Sequence, residues 1–80
     1  MEFPNRLATA LGVPDLDDAT IESVLDLARE VAHGTERMYA PVSAFVVGYY
    51  VAGRVAAGAD PNHAVEAALR AARDVLSIEA

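Results

Sequence analysis

The chain has 80 residues, 54% of them apolar and none of them cysteine, and twelve acidic against six basic side chains give a net charge of −6 at pH 7. This length holds one domain, residues 1–80, near the lower limit for a single hydrophobic core, so self-association would add stability. The acidic balance argues against nucleic-acid binding, and the lack of cysteine excludes disulfides and thiolate chemistry and fits a cytoplasmic location. The uncharged run from Met38 to Gly53 is too short for a typical membrane span, which argues against a membrane protein.

Two helices are predicted in the first half of the chain. The first runs from Pro4 to Leu11 and is ended by Gly12, which suits a left-handed cap. The second runs from Ile21 to His33, after an acidic connector in which Thr20 or Asp18 could cap it. Its inward stripe, at helical spacing, is predicted to contain Ile21, Val24, Leu25, Ala28 and Ala32, widened by Leu27 and Val31.

A third helix, from Pro41 to Ala57, is apolar all round and is therefore predicted to be enclosed by the others. One half of its helical wheel is expected to face the bundle, and this half contains Phe45, Gly48, Tyr49, Ala52, Val55 and Ala56. The opposite half would then be an interface, for a homodimer or another protein, and consists of Val47, Tyr50, Val51 and Arg54.

A fourth helix begins at Asp60-Pro61, where the acid suits the cap position and the proline suits the first turn. Its predicted inward stripe consists of Val65, Ala68, Leu69, Ala72, Val75 and Leu76. Loops short enough to reverse the chain join these helices. The sequence therefore predicts an all-α fold: a small antiparallel four-helix bundle with a short first helix and a buried central third helix.

A charged flank on the second helix is the first place where chemistry could occur. It consists of Asp26, Arg29, Glu30 and His33. Glu30 and His33 have the spacing of half a carboxylate-bridged metal site, but no second such pair exists, and we expect no bound metal or other cofactor. An ion pair between Asp26 and Arg29, with His33 near the negative end of the helix dipole, is the simpler interpretation.

The junction between the second and third helices is the other candidate. His33, Arg37, Ser43 and free amides after Pro41 could hold a phosphate or carboxylate, as helix N-termini do. In the competing structural interpretation, Ser43 caps the helix and Arg37 pairs with an acid of the second helix. No nucleophile has a base at a usable spacing, so no enzymatic activity is predicted.

Two segments, residues 24–34 and residues 40–48 with Arg37 before them, resemble a small actinobacterial helical domain of unknown function. That domain occurs alone or appended to molybdenum-cofactor guanylyltransferase-like proteins, and typically contains Leu-Asp-Leu-Ala-Arg-Asp-Val-Ala-His. The resemblance implies an accessory role near molybdenum-cofactor assembly or a molybdoenzyme, and no reaction. It also implies that any shared ligand site would lie at Asp26, Arg29, Glu30, His33, Arg37, Pro41 and Ser43.

Two functions follow as expectations, ahead of a third interpretation, a metal-dependent enzyme built on Glu30 and His33. The first is a non-catalytic helical interaction module in the cytoplasm, with a protein partner or a second copy and a link to molybdenum-cofactor metabolism. The second is a binder of small anions or nucleotide phosphates at the junction of the second and third helices.

Overall fold

A computed structural model describes residues 1–79, which form four helices without a strand. They are α1 (Glu2–Leu11), α2 (Asp18–Gly34), α3 (Tyr39–Ala56) and α4 (Pro61–Glu79). The predicted all-α class and the number of helices are therefore confirmed. Each pair among α2, α3 and α4 is in contact, whereas in residues 1–79 no Cα atom of α1 lies within 8 Å of a Cα atom of another helix.

Local signals set the helix ends. Gly12 has φ +70°, and the bonds Gly12 N–H to Thr9 O and Val13 N–H to Ala8 O close a Schellman cap on α1. The predicted start of α4 is confirmed, because the Asp60 carboxylate accepts the N–H of His63 at 3.1 Å. The cap of α2 is Asp17 rather than Thr20 or Asp18: its Oδ1 accepts the N–H of Thr20 at 2.7 Å.

The direction of the helices follows from contacts near their ends. Glu30 of α2 pairs with Arg73 of α4, and one turn later Gly34 lies beside Leu76, so α2 and α4 run in the same direction. The first turns of α3 lie against the last turns of both, so α3 runs antiparallel between them. Among residues 1–79 the backbones of α2, α3 and α4 approach one another closely, whereas α1 is peripheral: it buries Ala8, and its amino terminus donates to the Asp18 carboxylate at 2.8 Å.

The core is small and centres on α2 and α4. Leu27, Val31 and Leu69 form its buried cluster, and four partly buried side chains surround it: Val47, Val65, Ala72 and Leu76. Leu25, predicted to face inward, is 45% exposed, because the inner face of α2 is centred on Leu27 and Val31 instead. Leu27 and Val31 were predicted only to widen the inward stripe, but they form its centre.

The orientation of α3 is the reverse of the predicted one. Along Tyr39–Ala56 no side chain is buried, so α3 is central but not enclosed. Val47 packs on the core cluster and Val51 is half-buried, whereas Tyr50 and Arg54 of the same half remain exposed. The opposite half, expected to face the bundle, is in solvent, with Phe45 71% and Tyr49 75% exposed. The reason is that α1 does not pack on α3 and leaves that half uncovered.

Candidate functional site

The charged flank of α2 is engaged in ion pairs. Arg29 donates to Asp26 at 2.8 Å, which confirms the predicted pair. The Nε–H of Arg73 donates a bifurcated hydrogen bond to both carboxylate oxygens of Glu30, each at 3.2 Å, and Arg73 Nη2 donates to Glu30 Oε2 at 2.9 Å. This bidentate contact joins α2 to α4, and both side chains are about two-fifths exposed.

The electrostatics of this flank follow from that contact. The hydrogen bonds from Arg73 lower the pKa of Glu30 and, in return, raise the pKa of the Arg73 guanidinium. Glu30 therefore stays ionised and occupied by a cation of its own chain, which makes it a poor metal ligand. Within residues 1–79 no three histidine, aspartate or glutamate side chains are grouped as a metal site requires. The expectation that no metal binds remains a prediction.

The N-terminus of α3 offers fewer free amides than the sequence suggested. The N–H groups of Tyr39 and Ala40 already donate to the carbonyls of Glu36 and Arg37, at 2.9 and 3.2 Å, and Pro41 has no N–H. No side chain caps the helix, so the local cap predicted for Ser43 is absent from α3.

The seven candidate ligand residues are not assembled into one site. Among residues 1–79, no hydrogen bond or ion pair joins the flank of α2 to Arg37 or Ser43. In particular, the predicted pairing of Arg37 with an acid of α2 is wrong. Anion binding at this junction stays a prediction without a feature of the structure in its favour.

An apolar groove lies where the last turns of α2 and α4 meet the first turns of α3. Its volume is about 520 Å³. Its polar lining consists of Thr35, whose hydroxyl already donates to the Val31 carbonyl at 2.7 Å, with Tyr39, Ser43 and the acidic Glu79. Its apolar walls are Val31, Val42, Val46, Val47, Ala72, Val75 and Leu76. Such a lining suits an apolar side chain and repels an anion.

Sequence reasoning missed this groove because its walls come from three helices. Val42 and Val46, four residues apart, were a usable signal, since they mark an apolar ridge on the first half of α3. Val75, which is 60% exposed, was predicted to face inward and instead lies on the rim.

A second apolar surface, here named the outer face of α3, consists of Phe45, Tyr49, Ala52 and Ala56, all exposed. The rings of Phe45 and Tyr49 lie with centroids 6.1 Å apart and planes inclined by 54°, an arrangement favourable for aromatic pairs. The helix itself has no acidic residue: the nearest ones in the sequence are Glu36 before it and Asp60 after it. The outer face can therefore contact an apolar partner without desolvating a charge.

Comparison with known proteins shows the family. A family model described as Domain of unknown function (DUF6457) matches residues 1–79, and the chain belongs to that family. No curated protein and no solved structure matches it. In residues 1–79 no helix combines the length and apolar character that crossing a membrane would require.

Proposed function

We propose that this member of the DUF6457 family is a non-catalytic helical module that acts by binding other protein chains. One observation carries the proposal. The chain exposes 5816 Å², whereas a folded monomer of its mass exposes about 4,600 Å². The excess, about 1,200 Å², is spread over an elongated chain of 36 × 27 × 18 Å and includes many apolar side chains that its own helices leave uncovered.

The chemical character of the exposed area supports the same function. The exposed large hydrophobic residues include two from the rim of the groove, Val46 and Val75, and two from the outer face of α3, Phe45 and Tyr49. Contiguous apolar patches of this kind are uncommon on proteins that work alone and usually mark an interaction surface. Aromatic residues in particular are enriched at the centres of interfaces.

The resemblance to actinobacterial domains appended to molybdenum-cofactor guanylyltransferase-like proteins supports a narrower proposal. In it, the module acts in the cytoplasm as an accessory to molybdenum-cofactor assembly or to a molybdoenzyme. Residues 24–34 and 40–48, which carry the resemblance, supply the α2 and α3 walls of the groove, including Val31, Val42 and Val46. A partner of this class would insert an apolar side chain into the groove.

Titration calorimetry with a molybdenum-cofactor guanylyltransferase from the same organism tests this proposal. We expect saturable binding that Val75→Glu weakens, because the new carboxylate would enter an apolar groove that already contains Glu79. Asn62→Glu is the matched control: it adds the same charge to an exposed site on the first turn of α4 and should leave the affinity unchanged. Absence of binding by the unmodified chain, or equal weakening by both variants, would contradict the proposal.

A further inference from the structure

We infer that a second copy of this chain covers the outer face of α3, with the two α3 helices antiparallel about a two-fold axis. The inference rests on the proposed function, in that the chain works by association, and it names one partner. It uses the outer face of α3 rather than the groove, so the two surfaces can be tested separately.

The side chains on the outer face of α3 become smaller along the helix. Its first half has the rings of Phe45 and Tyr49, and its second half has the methyl groups of Ala52 and Ala56. Phe45 and Ala56 lie equally far from the point between Tyr50 and Val51, and so do Tyr49 and Ala52. If the axis passes through that point, Phe45 packs over Ala56 of the second copy and Tyr49 over its Ala52, twice over, as a two-fold interface requires. A parallel pair would instead set ring against ring and methyl against methyl.

The two glycines of α3 fit the same register. Gly48 and Gly53 are also equidistant from the proposed axis, and they flank the outer face on either side. A Cβ atom built on either one meets nothing within 4 Å in its own chain. Glycine inside a helix is unfavourable relative to alanine, and within the chain no neighbour makes use of the space it leaves. Across the dimer, that space would leave room at both margins of the contact for side chains of the second copy.

The distribution of acidic residues favours the same face for self-association. Two copies with a net charge of −6 repel each other at most orientations. From Arg37 to Ala59 there is no acidic residue, so the α3 surface is where two copies meet with the least repulsion. The one charged side chain within α3 is Arg54, which lies on the same half of the helix as Val47 and therefore on the side opposite a contact centred on the outer face.

A second copy would cover side chains of the kind that dominate interfaces. On the outer face of α3, Phe45 is 71% and Tyr49 is 75% exposed, and aromatic rings are enriched at the centres of interfaces. The core, in which Leu27 alone is almost fully buried in residues 1–79, gives a small chain a reason to need that additional burial.

Sedimentation equilibrium of the purified chain and a reciprocal size exchange test the register. We expect the unmodified chain to be dimeric. Tyr49→Ala removes a ring and Ala52→Tyr adds one where a ring already packs, so each should raise the dimer Kd at least ~10-fold. The double variant, with the ring moved from 49 to 52, should return the Kd to within about threefold of the unmodified value. Ala71→Tyr adds the same ring to an exposed site of α4 and should leave the Kd unchanged.

Mixing the two single variants provides a second measurement, which remains informative if either variant folds poorly on its own. In the antiparallel register, the Tyr49→Ala chain and the Ala52→Tyr chain together form one interface with a ring opposite a methyl group at both ends. We therefore expect the mixture to form heterodimers, and any helicity lost in the separate variants to return on mixing. Far-UV circular dichroism of each sample follows the helicity.

Three results would overturn the inference: an unmodified chain that stays monomeric at about 1 mM, single variants that associate as well as it does, or no recovery in both the double variant and the mixture. These samples contain only this chain. A failure here therefore removes the second copy as the occupant, while binding of the guanylyltransferase, measured through Val75, is decided independently.

Discussion

Leu27→Ala is the substitution to which this fold should be most sensitive. Leu27 is 1% exposed and lies at the centre of the core cluster with Val31 and Leu69. Leucine-to-alanine changes in cores cost about 2–5 kcal/mol, depending on how far the surroundings collapse into the cavity. Leu27 packs against Val31 and Leu69, and the side chains around this cluster are only partly buried and can relax into part of the space, so we expect about 3–4 kcal/mol, inside that range. For a domain of this size that corresponds to a decrease in Tm of roughly 12–30 °C.

Urea unfolding followed by circular dichroism at 222 nm measures this loss, with all variants compared at one protein concentration because association adds apparent stability. Leu25→Ala is the matched control. It makes the same chemical change two residues earlier on α2, where the side chain is 45% exposed, and should cost less than about 1 kcal/mol. If the two variants unfold at the same urea concentration, the assignment of the core to the Leu27 face of α2 is refuted.

Three further predictions concern the turn after α3, the acid limb of stability and metal content. Gly58 has φ +99° and closes the Schellman cap of α3, so Gly58→Ala should cost about 1–2 kcal/mol in the same urea assay, and an unchanged midpoint would contradict this. The hydrogen bond from Thr20 lowers the pKa of Asp17 below its ordinary 3.8, and the hydrogen bonds from Arg73 lower the pKa of Glu30 below its ordinary 4.5. These two carboxylates therefore stabilise the fold above pH 3.8 and 4.5, and this stabilisation is lost as the pH falls through their pKa values in the folded chain. Asp17→Asn with Glu30→Gln should therefore flatten the decrease in Tm below pH 4.5, and an equally steep decrease would refute the assignment. Elemental analysis after dialysis should find no transition metal, and near-stoichiometric zinc, iron or manganese would contradict the expectation.

The helices and their ends could be predicted from the sequence because they depend on neighbours in the chain. Gly12 ends α1 and Asp60 caps α4 through bonds that span three to five residues. Where several adjacent residues could serve, the choice was less certain. Asp17 caps α2 instead of Thr20 or Asp18, and α3 begins at Tyr39 instead of Pro41.

The pairing of Glu30 with Arg73 could not be predicted, since the two residues are 43 positions apart and nothing local links them. The apolar groove depends on the tertiary structure for the same reason. Its walls come from α2, α3 and α4, and it exists only once α3 lies antiparallel to the other two.

The sequence by itself divided the wheel of α3 correctly into two halves, one with Phe45 and Tyr49 and the other with Val47 and Val51. It could not determine which half faces the core, because both halves are apolar and burying either one gains similar hydrophobic free energy. The tertiary structure decided this through shape. The branched side chains of Val47 and Val51 fit against a core of small aliphatic residues, and the peripheral position of α1 left the aromatic half uncovered.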